Sequence, residues 1–135
     1  MSLGKSDAAR ARRSLDHAVV VRIRTDCGRL QRGFCFWCDR PIDESLWTLE
    51  HLVPQSHRGR TIHRNCVMAC EPCNTSRQAR ELIGFLTVCA LRVDAATRRD
   101  FVVNRVKRIA SAINMRRPGL LVKEVMDAVE KGTHG

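Results

Sequence analysis

The sequence predicts an α+β fold: a small core of two antiparallel strands and a helix, stapled by four cysteines and flanked by an N-terminal helix and C-terminal helices. Three observations lead there. Two Cys-x-x-Cys pairs, Cys35–Cys38 and Cys70–Cys73, bracket the middle of the chain. Between them, Trp47-Thr48-Leu49-Glu50-His51 alternates large apolar with polar residues, as a strand covered on one face does. After the second pair, apolar residues recur every three or four positions, the period of a helix buried along one stripe.

Taken in order, residues 1–14 are small, polar and basic and read as a mobile arm. From Asp16 the positions Val20, Ile23, Cys27 and Leu30 step by three and four, which predicts a helix, although Gly28 and the β-branched run 19–23 weaken it. Gly33 ends the element. Phe34–Pro41 reads as a short strand entering a metal knuckle, with Trp47–His51 as its antiparallel partner, stopped by Pro54. Gln55–Arg64 is a polar, basic loop, and Asn65–Ala69 a short connection into the second cysteine pair. A helix is expected from Asn74 or Thr75 to about Arg92, with Leu82, Phe85 or Leu86, and Cys89 on one face. Asp94 suits the N-cap of the next helix, with Val102, Val106, Ile109 and Ile113 as its stripe. Pro118-Gly119 breaks the chain before a last helix over Leu121–Lys131, closed by Gly132.

Composition narrows the functional class. The chain has 135 residues, an ordinary apolar fraction of 44%, and a formal net charge of +10. That charge points to a polyanionic partner, nucleic acid ahead of an anionic membrane surface, with a solvated basic face as the plainer alternative. Aromatic residues make up 4% with no Tyr, which argues against a base-stacking platform for single strands. Seven cysteines cannot pair completely within one chain, and their spacing suits a metal better than a disulfide framework, so a reducing, cytoplasmic compartment is expected. The apolar run Ala18–Val21 is too short for a secretory signal, and no run reaches membrane-spanning length.

The chemistry follows from spacing. Cys35, Cys38, Cys70 and Cys73 form a four-thiolate set of the kind structural Zn²⁺ prefers, each two-residue gap letting one tight turn place both sulfurs on one ion. Cys27, Cys66 and Cys89 sit in apolar patterns and read as buried free thiols. Glu50 and Asn74 carry hard oxygen donors suited to Mg²⁺ or Mn²⁺, and a neutral His51 beside such an ion can take a proton from water near neutral pH. Asn74 suits a helix cap as well as a ligand. Arg58, Arg60 and Arg64 suit nucleic-acid backbone contacts, because nothing fixes a groove-reading helix. His57 and His63 read as loop residues near phosphate.

The combination Cys35-x-x-Cys38, Glu50-His51-Leu52-Val53-Pro54, Asn65 and Cys70-x-x-Cys73-Asn74-x-x-Arg77 resembles the four-Cys, zinc-containing branch of the HNH endonucleases, the His-Me finger or ββα-metal nucleases. The resemblance spans about Phe34 to Arg80. It implies a ββα-metal core within a nuclease domain over residues 15–93, leaving 94–135 as a helical extension of the same domain. It implies metal-dependent hydrolysis of phosphodiester bonds in DNA, double-stranded above all. His51 resembles the general base, Glu50 and Asn74 the ligands of the catalytic Mg²⁺ or Mn²⁺, and Asn65 the Asn that ties down the loop and orients the His. Arg77 stands where a phosphate-binding Lys is frequent. Glu replaces the commoner Asp, and a single Gly59 stands where Gly-Gly is frequent, which leaves the loop geometry open. The competing class is a non-catalytic zinc-knuckle module that binds nucleic acid through the same scaffold and charge.

Overall fold

The computed structural model describes residues 5–78 and 80–132. Its elements are α1 (Lys5–Leu30), β1 (Thr48–His51), β2 (Cys66–Ala69), α2 (Glu71–Arg77), α3 (Leu82–Leu91), α4 (Ala95–Ile113) and α5 (Pro118–Glu130), with short 3-10 turns at Glu44–Leu46, Gln55–His57 and His63–Asn65. The architecture is mixed α and β, a two-stranded antiparallel sheet among five helices. No helix among the described residues is long and apolar enough to cross a membrane.

The hairpin is present, but its strands are not the expected pair. Trp47–His51 pairs with Cys66–Ala69, in the register Thr48 to Ala69 and His51 to Cys66, and not with Phe34–Pro41. The physical reason lies in the cysteine turn. Cys35 N donates to Arg40 O and Asp39 N to Cys35 O, so the backbone of 35–40 folds on itself and only Phe34 and Pro41 make a bridge. In the sequence β2 reads as a connection because all four of its residues are buried, which erases the alternation that betrays a half-covered strand.

α1 begins at Lys5, so from that residue the expected arm is helical; residues 1–4 lie outside the described residues. Of its predicted stripe only Ile23 and Cys27 are buried, while Val20 and Leu30 are exposed. Ile23 and Cys27 pack on Cys66 and Met68, with Trp47 and Leu49 alongside. The helix tolerates Gly28 because it is the point of closest approach: a Cβ there would meet the Trp47 ring at 2.2 Å. Just past the helix, the Gln31 amide donates to Met68 O and accepts from Met68 N, both at 2.8 Å, completing the free edge of β2 as a further strand would.

The single helix expected over 74–92 is two. α2 starts at Glu71, capped by Cys70, with Pro72 in its first turn, where a missing N–H does no harm. It stops at Gln78, whose φ of 49 turns the chain, and α3 resumes at Leu82. Pro118 likewise opens α5 instead of breaking the chain before it. The stripes of α3 and α4 lie where expected: Phe85, Leu86, Cys89, Val102, Val106 and Ile109 are buried in one cluster that also takes in Trp37, Leu52 and Val125, with Leu82 and Ile113 at its margin. The C-terminal helices therefore close over the same core as the cysteine turns.

Gly28→Ala is expected to force the Trp47 ring aside and cost about 1–3 kcal/mol, read from urea or thermal unfolding. The ring cannot swing freely, since its Nε1 donates to Ile42 O at 2.9 Å. Unchanged stability would mean that α1 does not pack this closely on Trp47.

Candidate active site

The four cysteines predicted as zinc ligands come together. The Sγ atoms of Cys35, Cys38, Cys70 and Cys73 all lie within 4.8 Å of one another, with Cys38 and Cys70 at 3.8 Å. A tetrahedral ion with Zn–S bonds of about 2.3 Å requires sulfurs roughly 3.8 Å apart, so the set fits Zn²⁺. Cys70 N points at Cys35 Sγ at 3.4 Å, and the Cys73 thiol, ahead of this amide and those of Cys38 and Trp37, holds Cys35 well below the ordinary thiol range. Burial raises Cys38, and the hydrogen bond with Cys35 raises Cys73, so in the absence of an ion the thiolate is concentrated on Cys35. Cys27, Cys66 and Cys89 are buried and unbridged, each pushed up to about 11 by burial, and behave as inert core thiols.

α4 braces the first cysteine turn. Arg105 donates to Trp37 O at 2.9 Å and to Asp39 at 2.6 Å, and Arg108 reaches Asp39 at 2.9 Å and Phe36 O at 3.4 Å. Arg98 donates to Ala90 O and Val93 O. Arg98, Arg105 and Arg108 of α4 thus serve the fold.

His51 ends β1, half-buried, its Nε2 2.9 Å from the Thr61 hydroxyl. Burial lowers its pKa, which favours the neutral imidazole that a base requires. Asn65 is buried and binds the intervening loop at both ends: Oδ1 accepts from Val53 N at 2.8 Å, while Nδ2 donates to Val53 O and Arg60 O at 3.0 and 2.9 Å. Arg58, Arg60 and Arg64 are exposed and line one shallow concavity of this loop with Gly59 and Ile62. Asn74 is half-buried inside α2, whose N-cap is Cys70, so the helix-cap alternative for Asn74 does not hold.

Two predicted site residues sit elsewhere than expected. Arg77 is fully buried. It donates to Leu52 O at 2.7 Å, Arg80 O at 2.8 Å and His51 O at 3.3 Å, and lies 5.5 Å from the ring centroids of Trp37 and Phe85. A guanidinium so enclosed has no face for a phosphate; it is a structural residue. Its counter-charge is Glu50, 3.6 Å away and 4% exposed, which also accepts from Trp37 Nε1 at 2.7 Å. Burial pushes Glu50 up to about 7, against the opposing pull of Arg77 and Trp37. Alternation along β1 turns Glu50 toward the core and His51 away from it. Apart from the four cysteines, no cluster of His, Cys, Asp or Glu with cation-binding spacing forms among the described residues. Glu50 is thus engaged with Arg77 and Trp37 in the core, while Asn74 lies half-buried in α2.

His63 binds Asp26 of α1, Nε2 to carboxylate 2.9 Å, and lowers the Asp26 pKa; His57 lies 3.8 Å from Glu81. Neither joins a metal cluster. Sequence reasoning missed Thr61, for which spacing offers no signal, and Trp37, visible only as one of the two residues inside the first cysteine turn.

A two-stranded antiparallel sheet and a helix meet around a four-cysteine cluster that could hold a zinc ion. Residues 35–80, about a third of the chain, match the family model described as HNH endonuclease. Among solved structures the chain is similar to the crystal structure of the Type II-C Cas9 enzyme from Actinomyces naeslundii, with a TM-score of 0.50 and 22% sequence identity over 93% of this chain. That likeness is one of fold, and this chain spans 16% of the Cas9 chain. No curated protein matches at a significant level.

Cys70→Ser or Cys73→Ser is expected to release zinc and unfold the centre, since structural zinc sites supply about 10–16 kcal/mol; a folded, zinc-free variant by circular dichroism and metal analysis would contradict this. Arg77→Met should cost about 3–5 kcal/mol by stranding the Glu50 carboxylate and three carbonyls. A variant as stable as wild type in urea would return Arg77 to the surface role.

Proposed function

We propose that the chain hydrolyses phosphodiester bonds in DNA, with His51 as the general base. The observation that carries this reading is His51 itself. It stands at the end of β1, kept neutral by partial burial and oriented by Thr61, on the loop that presents Arg58, Arg60 and Arg64. In this reading the three arginines hold the phosphate backbone, His51 takes a proton from the attacking water, and Asn65 keeps the loop closed around it. Bound Zn²⁺ contributes shape, its four thiolates leaving no open position for substrate. In this arrangement the Glu50 carboxylate is engaged with Arg77 and Trp37 and faces away from His51. The unpaired cysteines support a reducing setting and the +10 charge supports a nucleic-acid substrate, here read as double-stranded DNA.

One observation favours the competing reading, a zinc-knuckle module that binds nucleic acid without cutting it. The carboxylate of the motif is buried and paired with Arg77, where a hydrolase of this family needs it near the phosphate. Plasmid nicking separates the two. His51→Ala should lose activity by about 10²–10⁴-fold in Mg²⁺ or Mn²⁺ while zinc content and far-UV circular dichroism stay unchanged. Wild-type protein that binds the plasmid in a salt-dependent way yet never nicks it establishes the binding module instead.

A further inference from the structure

We infer that Thr61 is a positioning residue for His51, accepting a hydrogen bond from Nε2–H and so leaving Nδ1 as the nitrogen that takes the proton. This rests on the nuclease reading above and adds a residue that the motif does not contain. A neutral imidazole carries one N–H and one lone pair, and a partner on either nitrogen selects the tautomer. Here the partner is the Thr61 hydroxyl, 2.9 Å from Nε2. The Gln55 amide donates to the same oxygen at 3.4 Å. The opposite polarity, with Thr61 donating into Nε2, would place the ring proton on Nδ1 and tie up the remaining lone pair, so that neither nitrogen could serve as a base.

The loop is constructed to deliver this hydroxyl. Gly59 folds back onto the start of the loop so tightly that a Cβ would lie 1.7 Å from Val53 O, and no side chain can be accommodated there. His57 N and Gly59 N both donate to Pro54 O at 2.9 Å. Asn65 then ties Val53 to Arg60, the residue immediately before Thr61. Leu52 N donates to Asn65 O at 2.7 Å, so the residue after His51 and the far end of the loop are held together. The distance from Thr61 to His51 is therefore set by backbone closure, and only the hydroxyl is left to the side chain.

The test uses the zinc-loaded 135-residue protein as wild type, Thr61→Val, Thr61→Ser and His51→Ala. Imidazole ¹⁵N shifts by NMR should show His51 protonated at Nε2 in wild type and Thr61→Ser, and a mixture of tautomers in Thr61→Val. Plasmid nicking by Thr61→Val should fall about 10–10²-fold in kcat with KM within about twofold, and Thr61→Ser should restore most of it. Wild-type His51 protonated at Nδ1 overturns the inference, whether or not Thr61→Val folds. So does wild-type kcat in Thr61→Val when His51→Ala is inactive. If His51→Ala still cuts while the ¹⁵N pattern is as expected, the general-base reading fails and the Thr61 contact stands.

Discussion

The buried guanidinium of Arg77 is the contact on which the central geometry depends. It lies at the end of α2, and its donors reach the carbonyls of His51 and Leu52 at the end of β1 and of Arg80 in the following turn. α2 is itself held at its start by two of the zinc-site cysteines, Cys70 as its cap and Cys73 within its first turn. Position thus passes from the thiolate cluster along α2 to Arg77, and from Arg77 to the backbone of His51. A buried guanidinium is tolerable only where its donors find acceptors and its charge a partner. Three carbonyls, the Glu50 carboxylate and the faces of Trp37 and Phe85 meet that requirement.

The same logic governs the helical extension. Arg105 and Arg108 on α4 bond the carbonyls of Trp37 and Phe36 and the Asp39 carboxylate, bracing the first cysteine turn from outside. The net charge of +10 therefore overstates the charge that faces a polyanion. Arg77, Arg98 and Arg105 are engaged within the fold, whereas Arg58, Arg60 and Arg64 remain exposed on the loop beside His51. Three exposed arginines on one loop are a modest electrostatic footprint, suited to fixing a backbone phosphate more than to reading bases.

What the sequence made legible is the chemistry that depends on spacing. The cysteine pairs announce themselves, the strand carrying His51 alternates, and the stripes of α3 and α4 hold their period. The misreadings arise where three-dimensional context decides the outcome. β2 has no polar face to alternate with, so it looked like a connection. The break between α2 and α3 turns on the backbone of Gln78, which has no sequence signature of the kind glycine provides. Thr61 reaches His51 only because Gly59 and Asn65 close the loop, a consequence of three-dimensional closure invisible in spacing. Arg77 reads as a phosphate ligand only from its place in a motif, and a motif does not say which way a side chain points.

Glu50 carries that last point furthest. Written as adjacent letters, Glu50-His51 suggests two side chains sharing one task. On a strand, neighbours face opposite sides, and here the pairing of β1 with β2 is maintained through His51. Glu50 accordingly enters the core and His51 leaves it. A carboxylate at 4% exposure, paired to a fully buried arginine and bonded to an indole N–H, contributes to positioning β1 more than to binding anything from solvent. Replacing such a pair with apolar residues often costs little, whereas removing one partner costs several kcal/mol. The pair is best understood as a unit: Glu50 permits Arg77 to be buried, and Arg77 in turn holds the strand end from which His51 projects.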